Sequence, residues 1–442
     1  MNFSIYTLGC KVNQYESQAM AQLLTQKGFS EVDFSESADL YIINTCTVTA
    51  LSDKKSRQMI RKAKKTSPNS IVAVCGCYSQ KEVGALDDLP IDILWGTGER
   101  APFLAEIEGK LKGESVPSGM DNPFERTEFE VLPSGGVSGR TRGLLKVQDG
   151  CQNFCTYCII PYTRGKLRSI SVEDGARELQ SLVKHGYQEV ILTGIELSSW
   201  GVDLEGAPPL LTLLQGLDSV ADGCKLRLGS LEPRTITEEF CKGAVGLHSL
   251  CPQFHLSLQS GSDSVLKRMN RKYTTERYLQ SVSLLRQYFP SCGITTDLIV
   301  GFPQESEEEF CETLEFLQNC QFASMHVFPY SSREGTAASN MEGQISKEVK
   351  EERAKRATTI AREMQFNRHQ SLVGTVQEVL FEVLHHGHPQ GHSLSGEVVL
   401  YEKPMDQAQF EGLQNERRLI QITSCDQNGL LGLEQDLQKE QR

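Results

Sequence analysis

Residues 149–165 read DGCQNFCTYCIIPYTRG and carry the strongest chemical signal in the chain. Cys151, Cys155 and Cys158 are spaced C-x3-C-x2-C and follow LLKVQ, a run that is typical of a buried strand. Three thiolates can bind three irons of a four-iron cluster and leave the fourth iron open. S-adenosylmethionine can occupy that iron through its amino and carboxylate groups, and one electron would then release a 5′-deoxyadenosyl radical. The motif predicts a catalytic iron–sulfur centre on these three cysteines.

A zinc knuckle is the alternative interpretation of the same cysteines. Such a site normally needs a fourth cysteine or histidine close by. No cysteine or histidine follows Cys158 within 25 residues, and the nearest histidine is His185. The spacing therefore favours a cluster over zinc.

Strand-like and helix-like segments alternate on both sides of this loop. Between residues 143 and 370, six runs predict strands: GLLKVQDG, EVILTG, KLRLGS, QFHLSLQS, GITTDLIVGFP and ASMHVFPY. Helical segments separate them and a charged helix follows at 346–370, which predicts a full or partial β/α barrel. Residues 1–110 alternate in the same way around FSIYTLG, DLYIINT and SIVAV, which predicts an open parallel sheet covered by helices. The predicted fold class is therefore α/β.

Two further segments complete the predicted organisation. Residues 111–142 mix Gly, Ser, Pro and charge without periodicity, which indicates a linker. Residues 371–432 contain GTVQEVLFEVL, SGEVVLYE and RLIQITSC, and these runs predict a small antiparallel β-barrel.

A second set of cysteines lies in the N-terminal region. Cys10 follows FSIYTLG, Cys46 follows DLYIINT, and Cys77 lies just past SIVAV. Ligands of open parallel sheets bind at the carboxyl ends of the strands, so these cysteines could converge on one metal site. Cys75 competes with Cys77 in VAVCGCYSQ, but Cys75 still belongs to the apolar strand, which favours Cys77.

The 149–165 motif, with Tyr157 before its third cysteine, resembles the radical S-adenosylmethionine superfamily. The following IIPYTRGKLRS is similar to one branch of it, the methylthiotransferases. Other segments resemble that branch in the same order along nearly the whole chain: LGCKVNQYES, NTCTVTA, GCYSQ, FHLSLQSGSDSVLKRMNRKYT (254–274), TTDLIVGFPQES (295–306) and HVFPYSSREGT (326–336).

This resemblance implies two 4Fe–4S clusters, one on the cysteines of residues 151–158 and an auxiliary one on Cys10, Cys46 and Cys77. It also implies that one S-adenosylmethionine donates a methyl group to sulfur at the auxiliary cluster. A second S-adenosylmethionine supplies the radical, which abstracts hydrogen from a substrate carbon that ordinary acid–base catalysis cannot activate.

Polar residues near the ends of the barrel strands are candidate contacts for S-adenosylmethionine. In a β/α barrel the active site lies at the carboxyl ends of the strands. The resemblance implies that these segments surround the cofactor, although a structural hydrogen bond at the rim is an equally simple role for each residue. Two positions depart from the family pattern: Glu196, where an amide is frequent, and Gln304, where glycine is commoner. The candidates are Tyr157, Glu196, Glu232, Arg234, Ser257, Gln259 and Asp297.

Two segments could contact RNA. Residues 54–65, KKSRQMIRKAKK, carry seven Lys or Arg and no acid. They form either a solvated helix face or a guide for a phosphate backbone towards the second cysteine set. The C-terminal segment resembles a TRAM domain, a small RNA-binding β-barrel, but residues 371–424 carry three Lys or Arg against seven Asp or Glu. Recognition there would depend on shape and stacking.

The resemblance implies an enzyme that inserts a methylthio group into tRNA. GCKVNQYES is similar to the branch acting at C2 of N6-threonylcarbamoyladenosine beside the anticodon. Branches acting on isopentenyladenosine, or on an aspartate of a ribosomal protein, tend to have GCQMN or GCPKN, and these substrates are the nearer alternatives. A non-enzymatic iron–sulfur or zinc RNA-binding protein is the alternative of a different class. The expected partners are the tRNA anticodon stem-loop and a low-potential donor of flavodoxin or ferredoxin type, and the expected state is a monomer.

Composition and charge limit the class of protein to which the sequence can belong. The 442 residues carry a net charge of −12, with 39% hydrophobic and 23% charged residues, which is typical of a soluble globular protein and argues against a uniformly basic nucleic-acid coat. The N-terminal sequence has no basic region followed by an apolar stretch, and no apolar run reaches the roughly 18 residues of a membrane helix. We therefore expect a cytoplasmic protein without membrane contact.

Overall fold

The structure is a computed structural model that describes residues 1–81, 84–114, 119–134, 141–426 and 428–435. Its N-terminal part alternates strands and helices as predicted. The elements are β1 (Asn2–Thr7), α1 (Lys11–Gln26), β2 (Ser30–Glu31), β3 (Leu40–Thr45), α2 (Ala50–Thr66), β4 (Ile71–Gly76), α3 (Cys77–Lys81), β5 (Ile93–Leu94) and α4 (Arg100–Leu111).

The five strands of this part form one parallel sheet in the order β2-β1-β3-β4-β5. The predicted strands are confirmed as β1, β3 and β4. Strands β2 and β5 escaped prediction because each is only two residues long. The chain order along the sheet reverses between β1 and β3, and such a switch point opens a crevice at the carboxyl ends of the strands.

The predicted linker, residues 111–142, lies only partly within the described residues. Gly119 bridges to Trp95 at the end of the first sheet, and the Tyr15 hydroxyl donates to the carbonyl of Leu132 at 2.7 Å. The Glu130 carboxylate accepts from the backbone N–H of Arg100 at 2.7 Å. Residues 119–134 therefore pack against the N-terminal part, and the domain boundaries stay a prediction.

A barrel of parallel strands follows. Its elements are β6 (Arg142–Lys146), β7 (Gln148–Asp149), α5 (Ile160–Arg164), β8 (Arg168–Ser169), α6 (Val172–Lys184), β9 (Glu189–Thr193), α7 (Leu210–Asp218), β10 (Lys225–Leu228), β11 (Ser230–Leu231), α8 (Glu238–Ala244), β12 (Gln253–Leu256), α9 (Asp263–Arg268), α10 (Thr275–Tyr288), β13 (Gly293–Val300), α11 (Glu307–Cys320) and β14 (Ser324–Pro329).

Two parallel sheets, β6-β9-β10 and β11-β12-β13-β14, make up this barrel, whereas β7 and β8 form a separate antiparallel pair. Gly229 separates β10 from β11, and Leu226 of β10 forms an isolated bridge with Leu250, which lies just before β12. All six predicted strands are present, so the prediction of a partial β/α barrel is confirmed.

Along each barrel strand, the side chains point alternately outwards to the helices and inwards to the barrel interior. Val190, Leu192 and Leu226 pack in one apolar cluster with Leu179 and Leu213 of the outer helices. Because neighbours along a strand point to opposite faces, the residues between these apolar ones point into the barrel. Inward positions are Arg142, Leu144, Glu189, Ile191 and Arg227.

A long helix and a second barrel complete the chain. Their elements are α12 (Lys347–Leu372), β15 (Val376–His385), β16 (His388–Ser393), β17 (Val398–Tyr401), α13 (Gln407–Glu411), β18 (Arg417–Cys425) and β19 (Leu430–Glu434). The barrel closes in the order β15-β16-β17-β19-β18.

The predicted C-terminal barrel is confirmed, but its antiparallel pairing is only partly right. Strands β17 and β19 run parallel, with Val399 opposite Leu430. Strand β16 was not predicted because HPQGHS has no alternating apolar residues. Within the described ranges, every helix is too short or too polar to span a lipid bilayer.

Candidate active site

The loop after β7 gathers Cys151, Cys155 and Cys158. The first two are nearly buried and the third is half-buried. Burial raises the pKa of the Cys158 thiol to about 12, with a further contribution from Cys155. Burial also raises the pKa of Cys151, to which both other cysteines add. The three thiols therefore lie within electrostatic reach of one another.

Contacts with the segment after α9 hold this loop. The Thr156 N–H donates to the carbonyl of Met269 at 3.1 Å, and Asn270 Nδ2 donates to the carbonyl of Phe154 at 3.0 Å. Phe154 has φ 46°, a left-handed conformation that is rare for a bulky residue. Arg271 Nη1 donates to Cys155 Sγ at 3.3 Å, which brings a positive charge to the cysteine loop.

The auxiliary set lies at the carboxyl ends of β1, β3 and β4, beside the switch point of the first sheet. Cys10 immediately precedes α1, Cys46 follows β3, and Cys77 begins α3. Burial raises the pKa of the Cys46 thiol to about 11, with Cys77 and Cys10 adding to the effect. Burial and Cys77 also raise the pKa of Cys10, whose residue is nevertheless exposed. Cys10 therefore faces a recess surrounded by protein.

Cys75 and Cys77 have different surroundings. Cys75 belongs to β4, is fully buried and packs with Phe3 and Leu40 in the apolar core of the first sheet. Cys77 starts the following helix and raises the pKa of both Cys10 and Cys46. The structure thus places Cys77 with the other two, while its role as a ligand stays a prediction.

The two cysteine sets are neighbours. Among the influences that raise the pKa of Cys158, after burial and Cys155, is Cys77. Cys77 also raises the pKa of the Arg164 guanidinium. Arg164 ends α5, the helix that follows the cysteine loop. Both sets therefore face the boundary between the first sheet and the barrel.

Asn13 connects the loops that carry these cysteines. Its Nδ2 donates to the carbonyls of Leu8 at 2.8 Å and Thr45 at 2.9 Å, which precede Cys10 and end β3. Its Oδ1 accepts from Arg164 Nη2 at 2.6 Å. One buried amide therefore ties the auxiliary loops to the barrel loop.

A buried ion network reinforces this connection. Arg164 Nη1 lies 2.5 Å from Glu16 Oε1 and 3.3 Å from Asp149 Oδ2. Glu16 also contacts Arg100 Nη2 at 2.8 Å and Lys146 Nζ at 3.6 Å. Glu16 and Arg100 come from the first part, whereas the other three residues belong to the barrel part, so the network joins the two.

Gly9 permits the close approach of Cys46, which gives a direct test of the auxiliary site. Gly9 has φ +98°, and an added Cβ would lie 2.8 Å from Cys46 Sγ. We expect Gly9→Ala to displace Cys46 and to reduce iron after anaerobic reconstitution from about eight to about four atoms per chain. Gly28 is the control because it has φ +87° but nothing within 4 Å, so Gly28→Ala should keep the full iron content. Unchanged iron in Gly9→Ala would show that this loop does not hold a cluster.

Three of the predicted cofactor contacts lie in one polar cluster with Asn153 and Arg271, two residues that the sequence did not single out. Asn153 Nδ2, from the cysteine loop, donates to Glu196 Oε2 at 2.7 Å and Glu232 Oε1 at 3.1 Å. Arg234 Nη2 donates to Glu232 Oε2 at 2.6 Å, and Arg271 Nη2 lies 3.2 Å from Glu232 Oε1. Burial, and then the neighbouring Glu232, raise the pKa of Glu196 to about 7. This cluster connects the cysteine loop with the ends of β9 and β11.

Three other predicted residues line a cavity of about 300 Å³ beside the cysteine loop. Tyr157, Gln259 and Asp297 border it together with Cys158 and apolar residues of the barrel. Asp297 is not at a strand end as expected, because it lies within β13. Ser257 does not border the cavity, and its carbonyl accepts from the Tyr273 hydroxyl at 2.6 Å.

The donor atoms suit iron–sulfur clusters. All fourteen cysteines of the sequence lie in the described ranges, and none forms a disulfide. Each set offers three thiols, which are preferred ligands of iron–sulfur clusters. Among the described residues, no three His, Cys, Asp or Glu side chains form a site for a single metal ion.

The basic segment of residues 54–65 forms most of α2, as predicted. Part of its charge is used within the fold, since Arg57 Nη1 donates to the Tyr78 hydroxyl at 2.5 Å. Lys54, Arg61 and Lys65 are exposed. The predicted helix of residues 346–370 corresponds to α12, which begins one residue later, after its N-cap Ser346, and packs on the barrel, where Arg353 Nη1 contacts Glu305 at 2.8 Å.

Comparison with known proteins identifies the family. Residues 2–96 match Uncharacterized protein family UPF0004, and residues 145–317 match the Radical SAM superfamily. The chain is 41% identical over 81% of its length to Threonylcarbamoyladenosine tRNA methylthiotransferase MtaB of Bacillus subtilis, covering 80% of that protein. The chain belongs to the family of radical S-adenosylmethionine tRNA methylthiotransferases. It is thus an enzyme of a class that uses S-adenosylmethionine and iron–sulfur chemistry, and the alternative of a non-enzymatic RNA-binding protein is wrong.

Other family members differ in the nucleoside they are named for. The MtaB of Aquifex aeolicus is 38% identical over 80% of this chain and 86% of its own. The tRNA-2-methylthio-N(6)-dimethylallyladenosine synthase of Desulfotalea psychrophila is 34% identical over 90% of this chain and 92% of its own.

Solved structures support the fold. The radical S-adenosylmethionine methyltransferase TsrM from Kitasatospora setae, with cobalamin and a [4Fe-4S] cluster bound, has a TM-score of 0.55 at 15% identity. The match covers 85% of this chain and 80% of that one.

Proposed function

We propose that this enzyme inserts a methylthio group at C2 of N6-threonylcarbamoyladenosine beside the tRNA anticodon. The observation that carries the proposal is the 41% identity to a relative named for that nucleoside, against 34% and 36% for two relatives named for dimethylallyladenosine. The string GCKVNQYES at the first auxiliary cysteine supports the same choice.

The two cysteine sets would hold two clusters with different roles. The cysteines of residues 151–158 would hold a 4Fe–4S cluster with an open iron for S-adenosylmethionine, and Cys10, Cys46 and Cys77 would hold a second cluster. When bound, the cofactors supply a 5′-deoxyadenosyl radical at the first cluster and a methylated sulfur at the second. The electrostatic influence of Cys77 on the pKa of Cys158 supports a short path between radical and sulfur.

The surrounding residues would position S-adenosylmethionine. Asn153 fixes Glu196 and Glu232 at the rim, where their carboxylates can accept hydrogen bonds from the cofactor's amino or ribose groups. Tyr157 and Gln259 would border the cofactor in the neighbouring cavity. Arg271 would offset negative charge beside Cys155.

RNA would approach the recess in front of the auxiliary cysteines. Helix α2 begins at Ala50, four residues after Cys46, and presents Lys54, Arg61 and Lys65 to phosphate. The C-terminal barrel, similar to a TRAM domain, would contact the stem-loop by shape. We further propose a cytoplasmic monomer that receives electrons from a flavodoxin- or ferredoxin-like protein.

Deleting the gene tests the choice of nucleoside. We expect mass spectrometry of tRNA nucleosides to show loss of 2-methylthio-N6-threonylcarbamoyladenosine and accumulation of its unthiolated precursor. The wild-type gene should restore the product, while a gene encoding Cys155→Ala should not. Loss of 2-methylthio-N6-isopentenyladenosine instead, or of a methylthiolated ribosomal-protein aspartate, would contradict the proposal.

A further inference from the structure

Lys11, the residue after Cys10, points towards the interior of the barrel. It begins α1 and is followed on the same helix face by Tyr15 and Ala19, four and eight residues later. Tyr15 and Ala19 pack in one apolar cluster with Leu144 and Ile191, which point into the barrel. The α1 face that starts with Lys11 is therefore turned to the barrel interior.

The two arginines near Lys11 already have carboxylate partners. Arg227 Nε donates to Glu189 Oε1 at 2.7 Å, and Arg142 Nε lies 2.9 Å from a carboxylate oxygen of Glu382. Asp297 lies 3.3 Å from His255 Nε2. The two arginines are also inward residues, and they engage Glu382 and Glu189, so Asp297 is the remaining carboxylate near Lys11 and makes no ion pair with it.

The Lys11 ammonium has no fixed partner of its own. Its residue is exposed, and it makes neither a hydrogen bond nor an ion pair with any residue in the described ranges. The ammonium is open to a group that approaches the auxiliary cysteines, because Lys11 immediately follows Cys10 in the chain. A lysine without an ion pair can bind an incoming anion without first breaking an existing contact.

We propose that Lys11 is a carboxylate-binding residue that recognises the threonyl carboxylate of the substrate nucleoside. The inference rests on the proposed function and deepens it. Lys11 is adjacent to Cys10, so a nucleobase placed against the auxiliary cysteines brings its N6 substituent within reach of the ammonium. The threonylcarbamoyl group ends in a carboxylate, whereas the dimethylallyl group is a hydrocarbon. Charge-assisted hydrogen bonds are strong enough to separate these substrates.

Binding to matched RNAs tests this inference without relying on turnover. Two synthetic anticodon stem-loops would be compared, one with N6-threonylcarbamoyladenosine and one with the corresponding threonine methyl ester. Anisotropy titrations would use the full-length, anaerobically reconstituted protein without reductant. We expect the wild type to bind the free acid at least about tenfold more tightly than the ester. Lys11→Gln should remove this preference, and Lys11→Arg should retain most of it.

Lys54 on α2 provides the matched control, since its exposed ammonium is placed to contact phosphate. Lys54→Gln should weaken both RNAs by the same factor and leave the preference for the acid unchanged. A preference that survives in Lys11→Gln would overturn the assignment, as would an equal loss of affinity for both RNAs. The proposed function fails separately if the wild-type enzyme methylthiolates a dimethylallyladenosine stem-loop and leaves the threonylcarbamoyl one unmodified.

Discussion

Cys46→Ala should leave reductive cleavage of S-adenosylmethionine intact while lowering methylthio insertion by more than about 100-fold. Cys46 lies at the end of β3 in the first sheet, and the cysteines of residues 151–158 lie on a different loop in the barrel. Removing one ligand of the auxiliary set therefore spares the radical-forming set. The measurement is mass spectrometry of 5′-deoxyadenosine and of the methylthio nucleoside from one dithionite-driven reaction.

Two further cysteine variants complete this experiment. Cys155→Ala should abolish both products, because it removes a ligand of the radical-forming set. Cys75→Ala should preserve both products, because Cys75 packs in the apolar core beside the auxiliary set. Full methylthiolation by Cys46→Ala would show that the auxiliary assignment is wrong.

Arg164→Met should lower the free energy of unfolding by about 3–5 kcal/mol. Arg164 is fully buried, and its removal takes from Glu16 and Asp149 one of the two cations that they share, the other being Lys146. Although burial alone would raise the pKa of Glu16, Arg100 and Arg164 hold it below the usual range. This contribution to stability is therefore present at neutral pH and is lost as the pH falls below the ordinary glutamate range.

Urea unfolding followed by tryptophan fluorescence checks this prediction, since Trp95 lies in the first part of the chain and Trp200 in the barrel. Arg177→Met is the control because the side chain of Arg177 is 70% exposed, and it should change stability by no more than about 0.5 kcal/mol. Equal effects of the two substitutions would contradict a stabilising role for the buried network.

The strand pattern predicted most of the fold because it is a local property. Runs such as EVILTG have consecutive apolar residues at their centre, as expected for parallel strands covered on both faces, and they form buried strands where predicted. The pattern missed strand β16 because the residues of this strand are polar, glycine or proline. The parallel pairing of β17 with β19 depends on how the barrel closes, and no local pattern encodes it.

The cysteines of the site could be predicted, but the residues that hold them together could not. Each auxiliary cysteine, and the loop that carries the other three, follows a strand, so their positions at a sheet edge follow from topology. Asn13 and Arg164 are 151 residues apart in sequence and meet only in the folded chain. The role of Gly9, by contrast, could have been predicted, because glycine beside a cysteine at a strand end indicates close backbone approach.

Counting iron and acid-labile sulfide in the anaerobically reconstituted chain, together with Mössbauer spectroscopy, tests the central claim most directly. Two clusters on two sets of cysteines predict about eight irons per wild-type chain, and about four in a variant with Cys10, Cys46 and Cys77 all replaced by alanine. About four irons in the wild type, with no loss in the triple variant, would contradict the account of two cooperating clusters.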